Sequence, residues 1–360
     1  MRVEKGSINP EEFFYKQDIT QEVNDAIQGI ESRIKNMFSI ISSDKEPEND
    51  IHIYCSSPYD CPLKDECWKN IGDENIFQIK GLQKKRAFEL YDQGIEKIKD
   101  IPEDFKLNEK QKIQKQLSKE ESDNKNNQEK HKDKEKIKEF LNNLNYPIYY
   151  LDFETINPVI PIHPGMRPYQ RIPFQFSLHI QNSEQDKNQD LKHISFLSNT
   201  DKDPRQEFLQ SLKNNLQQGE DGGSGDIIVY NQRFEKGVMR EAVEAYPEFK
   251  DWYYNDIEPR IKDLMDVFKE FYFYDKRQNG SVSIKAVLPV LSNLSYDNMN
   301  INKGDKASFE FERITHRENP TDEEKERVRN ELEEYCKLDT LAEYEIIEGL
   351  KRELGNKKEQ

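Results

Sequence analysis

Two carboxylates separated by one residue, Asp152 and Glu154 in "YYLDFETINP", have a type and spacing that suit chemistry. In a strand, side chains two positions apart share a face. The pair therefore projects together, Cα atoms about 6.6 Å apart, after Ile148 and Tyr150, while Tyr149, Leu151 and Phe153 face the other way. Like charges this close resist burial unless a proton or a cation relieves them. Alone, such a pair is more often two solvated acids at a frayed strand end. Two further acids change the odds. Asp339 interrupts the apolar stripe Val328, Leu332, Tyr335, Ala342, Ile346, Leu350 of a long C-terminal helix, and Tyr335 precedes it by one turn on the same face. A carboxylate there needs an arginine, a backbone cap or a divalent cation as partner. Glu235 lies on the first turn of a helix that follows the strand "IIVYN", where an acid complements the helix dipole.

A second group is thiol-based. Cys55, Cys61 and Cys67 recur across five-residue gaps in a turn-rich segment with Pro58 and Pro62. Three thiols so arranged suit a metal better than a core, and His52 can complete a His-Cys₃ zinc site. Cys336, beside Tyr335, reads as a buried thiol.

The elements that position these groups change character along the chain. Its 360 residues allow about two domains. A hydrophobic content of 34% against 34% charged concentrates the core in part of the sequence. Residues 1–75 read as helical with the cysteine cluster; "DITQEVNDAIQGIESRIKNMFSII" carries Val23, Ile27, Ile30, Ile34 and Phe38 on one helical face, capped by Asp18 or Thr20. Residues 76–107 read as two short helices around Gly94, similar to a helix-hairpin-helix or an ordinary helical hairpin. Residues 108–140 read as a solvated charged helix and a flexible linker that marks a boundary. From 141 to 352, strands "YPIYYLDFE", "IPFQFSLHI", "KHISFLS" and "IIVYN" alternate with helices after Thr200 or Asp201 and in "RFEKGVMREAVEAY". A Gly-rich turn, "GEDGGSGD", precedes the fourth strand. Helices "RIKDLMDVFKEFYFY", "SVSIKAVLPVL" and 322–350 follow, the last opened by a Thr321–Glu324 capping box, before a disordered tail at 353–360. The pattern is α/β around a mixed sheet.

Charge and hydropathy exclude some function classes. A formal charge of −16 argues against attraction of nucleic acid or anionic membrane by the whole-molecule field, though it allows a local basic groove. No apolar run approaches the roughly 20 residues of a membrane span. The N-terminus lacks the apolar segment of a secretory signal, so the expected compartment is the cytoplasm, where cysteines are thiols or metal ligands.

Together, the three acidic segments resemble the DEDD family of 3′-to-5′ exonucleases. The family's first motif, Asp-x-Glu at the end of the first strand, is matched by Asp152 and Glu154. Its second, an Asn followed by an aromatic and an acid, is matched by Asn231, Phe234 and Glu235. Its third, a Tyr with an Asp four residues later, is matched by Tyr335 and Asp339, which indicates the tyrosine subclass. The second-motif acid is usually Asp, so Glu235 is a departure. Further, "LDFETINPVIPIHPGMRPYQRIPFQFSLHI", "NGSVSIKAVLPVL" and "EYCKLDTLAEYEI" resemble an uncharacterised bacterial domain family of this fold, found after RecB-like nuclease domains.

That resemblance implies an RNase H-like mixed five-stranded sheet flanked by helices. It implies a metal-dependent exonuclease acting on a single-stranded DNA or RNA 3′ end, with the alternative of a decayed nuclease-like binding module. Asp152, Glu154 and Asp339 would ligate one Mg²⁺ or Mn²⁺, Asp152 a second about 3.5–4 Å away, and Glu235 would act through water. Tyr335 would orient the attacking water. Arg167, Tyr169, Gln170, Arg171 and Gln175 would contact the substrate strand or merely cover the sheet edge, and Lys285 would contact phosphate or be solvated. "CSSPYDCPLKDECW" is similar to the C-terminal cysteine group of RecB-like nucleases, which completes a [4Fe–4S] cluster with a cysteine from far upstream. Neither that cysteine nor the RecB-like acidic core is in this sequence. The expectation is a remnant whose first nuclease is lost or carried by a separate RecB-like or repair partner.

Overall fold

The computed structural model describes residues 11, 14–45, 50–119, 130–217 and 224–355. A left-handed glycine divides the first amphipathic segment: Gly29, at φ 78°, separates α1 (Thr20–Ala26) from α2 (Ile30–Ile41). A residue in that region cannot continue a right-handed helix. The Asp18 carboxylate accepts hydrogen bonds from the Thr20 amide and hydroxyl at 2.9 and 2.6 Å. Neither helix buries a residue, so its apolar face stays open.

Between 76 and 107 the chain forms one helix, α3 (Lys84–Tyr91), between 3-10 turns at Ile76–Gln78 and Ile98–Asp100. Gly94, at φ 77°, reverses the chain, and Ile76, Ile79, Leu90, Ile98 and Ile101 form a small core. The second expected helix shrinks to a single turn because Gly94 and Pro102 leave it too little room. Helix α4 (Glu109–Lys119) is partly buried rather than solvated. Its Gln114 amide reaches the Gln78 carbonyl and the Tyr274 hydroxyl, both at 3.2 Å, and accepts from the Lys80 amide at 2.7 Å. A long polar side chain that satisfies three groups can occupy an interior which its composition alone would not predict. The expected flexible linker falls on 120–129, outside the described residues, as do 219–223 of the Gly-rich turn and 356–360 of the tail.

After β1 (Lys130–Lys132) and α5 (Lys134–Asn142), the central sheet begins at β2 (Ile148–Ile156). Strands β3 (Ile172–Gln181) and β4 (Lys192–Leu197) add as antiparallel neighbours. Helix α6 (Arg205–Leu216) leads to β5 (Ile227–Val229), which lies parallel to β2 on its other side. Helix α7 (Gln232–Ala245) then leads to β6 (Ile261–Asp263), parallel to β5. The order is β4-β3-β2-β5-β6, a five-stranded mixed sheet flanked by helices. The fifth strand occupies the segment expected to be one helix, which instead gives β6, a helical turn at Met265–Lys269 and β7 (Phe273–Asp275) paired with β1. Three-residue strands are too short to show a period, and pairing with a distant strand decides them.

Alternation along β2 builds two cores. Tyr149, Leu151 and Phe153 pack with α6 and α7, while Ile148 and Tyr150 face the C-terminal helices. The latter are α8 (Ile284–Leu291), α9 (Gly304–Glu312) and α10 (Asp322–Glu353), with the Thr321 hydroxyl accepting from the Glu324 amide at the start of α10. Gly349 lets α10 meet α8: a Cβ there would stand 2.7 Å from Leu291 Cβ and 2.9 Å from its carbonyl oxygen. Gly349→Ala therefore forces the helices apart. We expect it to lower unfolding free energy by about 1–3 kcal/mol, read from the urea midpoint; an unchanged midpoint would contradict this packing.

Candidate active site

The alternation that buries Tyr149 and Leu151 turns Asp152 and Glu154 toward α10, and the antiparallel register then shifts between Glu154 and Thr155. On α10, Asp339 meets them from the opposite wall. Carboxylate oxygens of Asp152, Glu154 and Asp339 all lie within 4.8 Å of one another. The Tyr296 hydroxyl donates to Asp339 Oδ1 at 2.6 Å, and the Cys336 thiol lies 3.6 Å from Asp152 Oδ2. Lys285 Nζ donates to the Tyr335 hydroxyl at 3.2 Å and to the Asn302 carbonyl, and stands 5.1 Å from the ring centres of both Tyr296 and Tyr335. Glu235 enters from α7 and Glu343 from α10, one turn beyond Asp339. The five acids, with Lys285, Tyr335 and Asn231, line one cleft of about 280 Å³.

The electrostatics are one-sided. Burial pushes the carboxyls of Asp152 and Glu154 well above the usual range, and repulsion adds to it, from Asp339 on Asp152 and from Asp152 and Asp339 on Glu154. Asp339 rises to about 6 through burial, restrained by the Tyr296 hydrogen bond and the Lys285 charge. Burial, then the Asp152 charge, does the same to Glu235 and Glu343. Each of these two has an oxygen, Oε2, that is buried and without a hydrogen-bond donor among the described residues. A set of oxygen donors this acidic, with orphaned oxygens and one lysine, fits Mg²⁺ or Mn²⁺.

The remaining expected residues divide. Asn231 takes φ 94° at the start of α7, a left-handed conformation that Asn tolerates. Asp263, which ends β6, accepts the Asn231 and Gln232 amides at 2.9 and 3.0 Å and fixes that entry. The polar loop turns away from the cleft. Arg171 pairs with Glu241 at 2.8 Å and lies 5.7 Å from the Phe234 ring, and Arg167 reaches the same carboxylate at 3.3 Å. Gln170 is buried and accepts from the Arg167 amide, Tyr169 is exposed, and Gln175 donates to the Leu332 carbonyl at 2.9 Å. Arg171 thereby holds α7, and Glu235 with it. Near the N-terminus, the Cys55 sulfur accepts from the His52 amide at 3.3 Å, and Cys61 and Cys67 are exposed. Among the described residues, the Cys55, Cys61, Cys67 and His52 ligand atoms do not gather as the three acids do.

Sequence reasoning missed Glu343 and Tyr296. Glu343 carried a signal, four residues after Asp339 on the same stripe; Tyr296 lies between α8 and α9 in a stretch with no period to mark it. Residues 149–283 match the family model of a domain of unknown function (DUF2779), a span that includes Asp152, Glu154 and Glu235 and ends before Tyr335 and Asp339. No curated protein and no solved structure matches the chain.

The raised carboxyl of Asp339 makes metal-free stability depend on pH. Its folded value, about 6, exceeds the ordinary 3.8, so the native state holds the proton longer and stability is lost as pH rises between these values. With EDTA present, the wild type should fall relative to Asp339→Asn, by up to about 3 kcal/mol, as pH rises from 4 to 6. Saturating Mn²⁺ at pH 7 should raise the wild-type Tm more than the variant's. Parallel stability curves for the two proteins across this range would sink the assignment.

Proposed function

We propose that the chain is a metal-dependent 3′-to-5′ exonuclease with an RNase H-like fold, acting on single-stranded DNA or RNA. The observation that carries this reading is the meeting of Asp152, Glu154 and Asp339 within 4.8 Å, with Glu235 and Tyr335 on the same cleft. Strands β3 and β4 antiparallel and β5 and β6 parallel to their neighbours, with β2 central, support the fold assignment. Asp152, Glu154 and Asp339 would hold one divalent cation, with Asp152 shared by a second and Glu235 acting through water. Bound cations would supply a nucleophilic water at neutral pH and stabilise charge on the attacking and leaving oxygens.

The chain's own groups have distinct tasks. Tyr335, its hydroxyl held by Lys285 at 3.2 Å, orients the water that attacks phosphorus. Lys285 offers positive charge to the scissile phosphate in an otherwise acidic cleft. The P–O3′ bond breaks, the strand keeps a 3′ hydroxyl after taking up a proton, and a nucleoside 5′-monophosphate leaves. Positioning is the larger contribution of Tyr335, so its removal should slow the step more than it weakens strand binding.

Digestion of 3′- and 5′-labelled single-stranded DNA and RNA in Mg²⁺ or Mn²⁺ tests the reading. We expect stepwise loss from the 3′ end, abolished by EDTA and cut at least 100-fold by Asp152→Ala, with Tyr335→Phe retaining part of the rate. Strand binding that depends on the cation without cleavage would favour the decayed nuclease-like module. Degradation that survives Asp152→Ala would place the chemistry elsewhere.

A further inference from the structure

Glu343 is not needed by the acidic set just described, yet it stands in the same cleft. It exposes 1% of its surface, and Oε2 has no hydrogen-bond donor among the described residues. Glu235, on α7, exposes 2% and has the same orphaned oxygen. A buried carboxylate that lacks donors is costly to ionise. Lys285 is already engaged by Tyr335 and Asn302. A structural role would require a partner for Glu343 to hold, and its Oε2 has none among the described residues.

Neither Glu235 nor Glu343 belongs to the close group formed by Asp152, Glu154 and Asp339. They line the same cleft, so the acids fall into a close set of three and a flanking set of two. Mg²⁺ and Mn²⁺ retain waters, and carboxylates beyond the direct ligands orient those waters and tune affinity. We propose that Glu343 is a positioning residue for the second divalent cation, accepting with Glu235 the hydrogen bonds of waters on an ion held by Asp152. This rests on reading the cleft as a two-cation site. It gives Glu235 a partner of the same chemistry on the same cleft.

Mn²⁺ titration of the full chain by calorimetry and electron paramagnetic resonance tests the assignment without depending on turnover. The wild type should bind two ions. Glu343→Gln should weaken one of them about 10- to 100-fold and leave the other unchanged, whereas Asp339→Asn should weaken the ion that Glu343→Gln spares. Glu343→Asp, which keeps the charge, should restore part of the lost affinity; if Glu343→Gln does not fold by circular dichroism, the comparison of Glu343→Asp with wild type decides. A wild type that binds one ion, or a Glu343 variant that binds both as the wild type does, would overturn the proposal. Two ions, one weakened by Glu343→Gln, in a protein that digests no strand would leave the role of Glu343 standing and remove the exonuclease reading. Digestion by a protein whose ions ignore Glu343 would do the reverse.

Discussion

Like-charge repulsion between buried carboxyls is the constraint around which the C-terminal half of the chain is arranged. Two charges about 5 Å apart repel by about 3 kcal/mol at the effective dielectric of a protein interior, and Asp152, Glu154 and Asp339 form three such pairs. Each must be protonated, hydrogen-bonded or neutralised by a cation. Tyr296 supplies one strong donor to Asp339, and Lys285 supplies the opposing charge. The rest of the repulsion is tolerated because both faces of the sheet bury aromatic and branched side chains that favour the folded state. Stability is given up at the cleft, as expected where function needs a set of groups that folding alone would not choose.

Such a cluster requires walls that do not yield. The strand wall is fixed by β3 and β5 on either side of β2. The helix wall is tied at several heights: Arg329 donates to the carbonyls of Ser198 and Leu197 at 2.6 and 3.2 Å, Gln175 donates to the Leu332 carbonyl, and Thr340 meets Ser177 and His179 at 2.8 Å. Burial pushes His179 down to about 3, so the ring stays neutral in this network through the physiological range. Helix α7 is held by Asp263 at its start and by Arg171 through Glu241 along its length. Gly237 leaves space for that guanidinium, since a Cβ there would lie 2.5 Å from Arg171 Nη2.

Much of the site was readable from local pattern. Alternation in β2 assigned Asp152 and Glu154 to the face of Ile148 and Tyr150, and the structure has them so. The helical stripe marked Asp339 as an acid at a buried position, and the same four-residue step extends to Glu343. Patterns failed where the decisive partner was remote. The "RIKDLMDVFKEFYFY" segment has helical spacing, yet Ile261–Asp263 is claimed by β5 and Phe273–Asp275 by β1. Gln114 reads as solvent-facing until Tyr274 and Lys80 are found beside it. Arg167 and Arg171 have a composition suited to phosphate, but Glu241 engages both.

The sequence by itself determined which side chains share a face, because strand and helix periods depend only on the local backbone. Those periods were enough to place three acids on the inward faces of their own elements. Only the tertiary structure decided that the faces meet, that Tyr296 bonds Asp339 and Lys285 bonds Tyr335 there, and that Glu343 joins Glu235 at one cleft. Distances between residues 152, 235, 296 and 339 depend on how the sheet is ordered and how α10 crosses it, and no local period carries that information.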